Sequence, residues 1–246
     1  MDLSGNTVLV TGGATGIGRA IAERFVRAGS DVIVCGRRAD RLEEMAAVLG
    51  VHIRVCDVAR AEERVALVEW VTRAFPALNV VVNNAGIQRR VALAESEPWE
   101  EVHREIATNL EAPIHLARLF IPHLGRQARP AIINVSSGLA FAPLTNVPVY
   151  CATKAALHSF TLSLRHQLAS TSIQVIEIIP PAVNTDLQAP GLHTFGVDVD
   201  ELADAVIAGV ANGELEVAYQ RSAQASRASR VELEEIFARL NGSQVS

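Results

Sequence analysis

The chain has 246 residues, 49% apolar and 20% charged, with a formal charge of −5. That composition supplies a full core and excludes a disordered chain, and the acidic balance excludes a nucleic-acid binder, which needs a basic face for phosphate. Only 4% is aromatic, so Ala, Val, Leu and Ile must build the core, and the length suits one α/β domain over residues 1–246.

Short β-branched runs alternate with helical patterns. Thr7–Val10 reads as a strand, followed by the turn Thr11-Gly12-Gly13-Ala14-Thr15-Gly16-Ile17-Gly18 and a helix over Arg19–Ala28, stopped by Gly29. The strand Asp31–Cys35, a helix over Ala39–Leu49, the strand His52–Cys56 and a helix over Ala61–Ala74 come next. Val80–Val82 leads into Asn83-Asn84-Ala85-Gly86. One long helical region is predicted from Trp99 to Leu124, with Pro113 and Pro122 marking bends or ends. The strand Ala131–Val135, a helix over Val149–Ala169 and the strand Ile173–Ile179 complete the rhythm, and Pro180-Pro181 ends it. Beyond lie a Pro/Gly-containing stretch, a helix over Val199–Ala211, a strand at Leu215–Tyr219, a loop or weak helix over Arg221–Arg230 and a short helix over Glu232–Leu240. Continuous apolar strands between helices imply a parallel sheet covered on both faces, a Rossmann-type doubly wound, three-layer αβα fold of seven strands. Residues 187–211 are expected to form a lid on the substrate side, and 221–246 a C-terminal extension.

No run is apolar and long enough to span a bilayer, and Met1–Thr7 has no secretory pattern. Cys35, Cys56 and Cys151 are widely spaced and odd in number, which fits neither a disulfide framework nor a zinc site. A cytoplasmic protein without metal is expected.

Strand, glycine turn and helix are what a dinucleotide needs. Glycines let the backbone approach a pyrophosphate, and the following helix offers free N–H groups and its positive end. The second strand ends in Cys35-Gly36-Arg37-Arg38 with no acid for a ribose 2′-hydroxyl, and Arg37 suits a 2′-phosphate, so NADP(H) is favoured over NAD(H). Tyr150 and Lys154, four apart on a helix, share a face, and an ammonium beside a phenol lowers its pKa toward base work. Ser136-Ser137 and Asn83-Asn84-Ala85-Gly86 lie at strand ends that open on the same crevice.

Taken in order, the glycine turn, Cys56-Asp57-Val58, Asn83-Asn84-Ala85-Gly86, Asn109, Ser137 and Tyr150-Cys151-Ala152-Thr153-Lys154 resemble the short-chain dehydrogenases/reductases, in their single-domain branch, over about residues 4–186. The resemblance implies a cofactor cradle of Gly12, Thr15, Gly16, Ile17 and Gly18, with Arg37 at its far end. It implies that Asp57 and Val58 hold adenine, that Asn83 lies against the adenosine ribose, and that Ala85 and Gly86 lie under the cofactor. Val183 and Thr185 would sit near the nicotinamide. Ser137 would hold the substrate oxygen, Tyr150 would transfer the proton, Lys154 would bind the ribose and lower the Tyr150 pKa, and Asn109 would hold a water linking Lys154 to solvent. Pro181 stands where the family usually has glycine, which puts the loop path in question. The run Pro180-Pro181-Ala182-Val183-Asn184-Thr185-Asp186 resembles a subgroup of bacterial oxidoreductases without a defined substrate.

These implications amount to an NADP(H)-dependent enzyme interconverting a carbonyl compound and an alcohol, acting on CH–OH groups. The alternative is a non-catalytic dinucleotide-binding or sensing protein; a nucleotide-sugar epimerase has little room for its substrate domain. Substrate walls are expected from Gln88, Leu139, Phe141, Asn146 and Val147, with Arg89 and Leu187–Phe195. The apolar residues Ala155, Ala156, Leu157, Phe160 and Leu164 exceed one core-facing stripe, so at least a homodimer through the helices near Glu101–Phe120 and Val149–Ala169 is expected, while a homotetramer would use the last strand and the C-terminal region.

Overall fold

Seven strands form one parallel sheet in the computed structural model, which describes residues 1–94, 98–185, 187 and 195–242. The strands are β1 (Thr7–Thr11), β2 (Asp31–Gly36), β3 (His52–Val55), β4 (Val80–Asn83), β5 (Ala131–Val135), β6 (Gln174–Ile179) and β7 (Glu216–Ala218). Their order is β3-β2-β1-β4-β5-β6-β7. The chain therefore leaves β1 in one direction for β2 and β3 and returns to its other side for β4. Such a reversal opens a crevice at the carboxyl ends of the strands.

Side-chain alternation divides the core into two layers. Val8, Val10, Val32 and Val34 face one way and pack under α1 (Gly16–Arg27) and α2 (Ala39–Leu49). Leu9, Ile33, Val81 and Ile132 face the other way, under α3 (Ala61–Ala74) and the helices over Ala112–Leu124 and Pro148–Gln167. Every residue of β4 and β5 is buried, which explains why both read as unbroken apolar runs ending in Asn or Val.

The region from Trp99 to Leu124 is not one regular helix. It comprises α4 (Trp99–Ile106), a π turn over Ala107–Glu111, and α5 (Ala112–Leu124). Pro113 sits in the first turn of α5, where its missing N–H costs nothing, and Pro122 in the last. The helix α6 (Pro148–Gln167) follows β5. On it Leu157 and Leu164 are core residues, so the surplus apolar face expected there is reduced to half-buried Ala155, Ala156 and Phe160, with Leu162 exposed.

Of the segment expected to form a lid, the part from Val199 on packs into the core. The helix α7 (Val199–Ala211) buries Leu202, Val206 and Val210 in the core, and Arg24 of α1 clamps it through Asp200 (2.6 Å) and Asp204 (2.9 Å). Residues 188–194 lie outside the described residues. The Ser/Ala/Arg-rich segment is a helix, α8 (Arg221–Arg227), whose buried Ser222 hydroxyl donates to Ile179 O at the end of β6. The last helix, α9 (Arg230–Asn241), opens with a capping box between Ser229 and Glu232 and is tied back through Asn241 to Pro143 O and Thr145 N. No helix among the described residues is long and apolar enough to cross a membrane.

Phe25 and Phe120 are fully buried in the two different layers. Phe25→Ala and Phe120→Ala are each expected to destabilise the fold by about 3–5 kcal/mol, and the double variant by nearly the sum, read by urea unfolding.

Candidate active site

A crevice of about 530 Å³ runs along the carboxyl ends of the strands. Its middle is the glycine turn. Gly12 and Gly16 have φ of +63° and +56°, which L side chains rarely adopt. A Cβ on Gly12 would stand 2.8 Å from Ala85 Cα, and one on Gly18 would run into the Asn84 amide and Gly12 O. The turn is thus pressed onto the loop after β4. Thr11 fastens the two: its hydroxyl donates to Val82 O (3.2 Å) and accepts from Asn84 N (3.0 Å) and Ala85 N (3.1 Å). Thr15 precedes α1 without a side-chain capping bond, so the first-turn N–H groups of α1 stay free for an anion at the crevice.

One end of the crevice is lined by Gly36, Arg37, Arg38, Cys56, Asp57 and Val58. Arg37 is exposed and has no acidic partner among the described residues, whereas Arg38 donates to Thr15 Oγ1 at 2.9 Å. Arg38 is a second cation at this end; its place at the N-cap of α2 turns it back over the glycine turn. Asp57 is held by the Ala59 N–H (3.1 Å) and by Arg104 (3.2 Å), which reaches over from α4. These features fit a dinucleotide: a positive-φ cradle, free helix N–H groups and an uncommitted guanidinium at one end.

The other end holds Tyr150, Lys154, Ser136, Gly86, Gln88, Pro180, Thr185 and Leu187. Lys154 is the only lysine in the sequence; every other cationic side chain, histidine aside, is one of 21 arginines. It is buried, and its Nζ donates to Val135 O at 2.7 Å and lies 5.6 Å from the Tyr150 ring centre. Burial pulls its pKa down to about 8, against a raising effect of Glu177. Tyr150 is equally enclosed. Burial pushes its phenol up to about 12, Ser137 partly offsets this, and Cys151 and Glu105 add to it. Ser137 is the group that lowers the phenol, while the Lys154 ammonium is directed at the Val135 carbonyl. Ser137 caps a short 3₁₀ turn over Gly138–Ala140, its Oγ accepting from Leu139 N at 3.1 Å.

Asn109 sits in the π turn, fully buried. Its side chain accepts from Ile87 N (2.9 Å) and donates to Ile87 O (2.8 Å) and Thr153 Oγ1 (3.2 Å). Those bonds use both amide N–H groups and one acceptor site of Oδ1, so the side chain clamps the loop after β4. Gly86 lies between this amide and Lys154: a Cβ there would be 3.5 Å from Asn109 Oδ1 and 3.8 Å from Lys154 Nζ.

Several expected residues lie elsewhere. Asn83 is buried in β4 and donates to Asn134 Oδ1 (2.9 Å), cross-linking strands; Asn84, one residue on, lines the crevice. Val183 is buried and bridges Val197. Leu139 and Val147 pack with Tyr150 and Cys151, Phe141 stacks edge-on against His158 (4.7 Å), and exposed Asn146 is bonded through its carbonyl to Val91 N. None of these six expected residues forms the described crevice wall, although Gln88 does. Arg89 also lines it and faces Glu101 at 3.8 Å. The loop after Pro181 brings Thr185 beside the glycine turn, its Cγ2 3.4 Å from where a Gly16 Cβ would be.

Comparisons with known proteins agree with this geometry. The short chain dehydrogenase family model matches residues 6–194. The chain is 44% identical to the uncharacterized oxidoreductase DltE of Bacillus subtilis over 250 residues, covering 98% of each. A short-chain dehydrogenase from Sphingobium yanoikuyae in complex with NADPH superposes with a TM-score of 0.81 at 28% identity, covering 98% of each chain. A Burkholderia phymatum short chain dehydrogenase/reductase in complex with NAD gives 0.85 at 21% identity over 96% of each and shows the shared fold. With the glycine turn, the loop after β4, Tyr150 and Lys154 gathered on one crevice and Ser137 beside Tyr150, the chain belongs to the short-chain dehydrogenase/reductase family of oxidoreductases.

Proposed function

We propose that the protein uses NADP(H) to interconvert a ketone or aldehyde and the corresponding alcohol. The observation that carries this reading is a single crevice with an uncommitted arginine at one end and Tyr150 beside Ser137 and Lys154 at the other. The bound nicotinamide cofactor supplies or takes up the hydride. The glycine turn and the N-terminus of α1 hold the pyrophosphate, Arg37 and Arg38 hold the 2′-phosphate, and Asp57 and Val58 border the adenine. Lys154 holds the nicotinamide ribose. Ser137 and Tyr150 hold the substrate oxygen, and Tyr150 gives its proton to that oxygen in reduction and removes it in oxidation. The substrate is a small molecule, the compartment the cytoplasm, and the assembly at least a dimer through the exposed faces of α5 and α6, where Ile114 and Leu162 lie.

Relatives of this fold carry either NADPH or NAD in their structures, so cofactor choice rests on Arg37 and Arg38. NADPH is expected to bind at least about tenfold more tightly than NADH, since a charge-assisted hydrogen bond contributes about 1.5–3 kcal/mol. Arg37→Asp is expected to narrow or reverse the gap in a fluorescence titration; equal wild-type affinities would refute the assignment.

Tyr150→Phe is expected to keep NADPH binding and lose about 10²–10⁴-fold in kcat on a panel of carbonyl compounds. Near-full activity would overturn the mechanism, and the absence of turnover in wild type on any carbonyl would point to a binding protein.

The buried Lys154 also has a stability consequence. Its folded-state pKa of about 8 lies below the ordinary 10.5. Between those values the unfolded chain holds more protons, so its cost to stability is full below pH 8 and fades toward pH 10.5. Lys154→Met is expected to be inactive yet more stable at pH 7 by about 1–2 kcal/mol, with the gain shrinking above pH 9 in thermal unfolding.

A further inference from the structure

Four side chains cross the sheet in one register row. Asn83, Asn134, Glu177 and Glu216 are successive partners on β4, β5, β6 and β7, and register partners point to the same face. That face is covered by α6. Asn83 donates to Asn134, and Asn134 donates to Thr161 of α6, both at 2.9 Å. Glu177 is fully buried. His158 Nδ1, also on α6, lies 2.8 Å from its Oε2, and its Oε1 has no hydrogen-bond partner among the described residues. A carboxylate in an apolar layer is costly unless its charge is compensated.

Lys154 stands four residues before His158, one turn along the same face of α6. Tyr150 stands one turn earlier again, so proton donor, lysine and histidine form one stripe. Glu177 is the charged group whose field favours the ammonium form of Lys154 against the effect of burial. Arg165 of α6 and Glu216 of β7 border the outer side of the pair and are bonded to each other at 3.0 Å. The Phe141 ring closes the remaining side against His158.

We propose that Glu177, held by His158, is a positioning residue of the active site: its buried carboxylate keeps Lys154 charged beneath Tyr150. The carboxylate touches neither cofactor nor substrate and acts through the lysine. His158 holds the carboxylate in place and, with part of its ring at the surface, makes the pair responsive to pH. Glu177 raises the pKa of His158, so the imidazole gains its proton above pH 6.5, and its cationic form then offsets the field that Glu177 exerts on Lys154.

The inference rests on the role proposed for Lys154, but its test needs no turnover. Protein grown on lysine labelled with ¹³C at Cε has one side-chain signal from Lys154, because no other lysine exists. Its titration in the cofactor-free wild type is expected to have a midpoint near pH 8. Glu177→Gln is expected to move the midpoint to lower pH, to about tenfold higher proton concentration. Glu177→Asp, which keeps the charge one methylene further off, is expected to fall between the two. His158→Gln is expected to keep the alkaline midpoint and to remove a smaller inflection above pH 6.5. An identical midpoint in wild type, Glu177→Gln and Glu177→Asp would overturn the proposal, as an inflection that survives in His158→Gln would remove His158 from it. If Glu177→Gln does not fold, the comparison of Glu177→Asp with wild type decides. A Tyr150→Phe variant that retained activity would sink the proposed reaction while leaving the Lys154 midpoints untouched, so the two failures are distinguishable.

Discussion

The hydroxyl of Thr11 is the joint on which the site depends. A Rossmann crevice exists because two loops leave neighbouring strands in different directions, and such loops have no inherent reason to stay in contact. Thr11 ends β1 and spends its hydroxyl on the end of β4 and the loop after it, donating to Val82 O and accepting from Asn84 N and Ala85 N. Asn84 returns the contact by donating to Thr11 O and Gly12 O. With the two loops locked, the missing side chains of Gly12 and Gly18 become useful, since the backbones can approach to distances that a Cβ would forbid. Asn109 repeats the device one loop further on, gripping both backbone groups of Ile87.

Beneath that floor the protein stores polar groups in its core. The row of Asn, Asn and Glu under α6, and the enclosed Tyr150 and Lys154, sit in a layer otherwise filled by Val, Leu and Ile. Such burial is unfavourable for folding and favourable for chemistry: charges there act through a low dielectric and their positions are fixed.

The sheet, its order of elements and the cradle were legible because they rest on local rules: apolar runs of strand length, glycines before a helix, and an i, i+4 pair. The helices Ala39–Leu49, Ala61–Ala74 and Val199–Ala211 have the bounds their patterns predict. What the sequence concealed has physical causes. The π turn that carries Asn109 has no compositional mark. The choice between Asn83 and Asn84 depends on where β4 stops, because alternate residues point to opposite sides of a strand. Leu139 and Val147 precede Tyr150 in the chain, but the 3₁₀ turn and the entry at Pro148 fold them beneath it. The Tyr150–Lys154 spacing was readable, while the burial that raises the phenol belongs to tertiary structure. The helix Arg221–Arg227, read as loop or weak helix, is secured by one serine reaching a distant strand end.

The cationic surface of this protein is made of guanidinium groups, and its one side-chain amine lies inside the crevice. Reagents and enzymes that acylate, glycate or cross-link primary amines therefore meet, apart from the chain's N-terminus, a surface with nothing to attack. Surface coupling through lysine is closed to this protein, and any amine adduct on an internal residue must sit where the cofactor ribose is proposed to bind. An adduct there is a report on occupancy of the crevice, and a cofactor that fills the crevice is its natural protecting group.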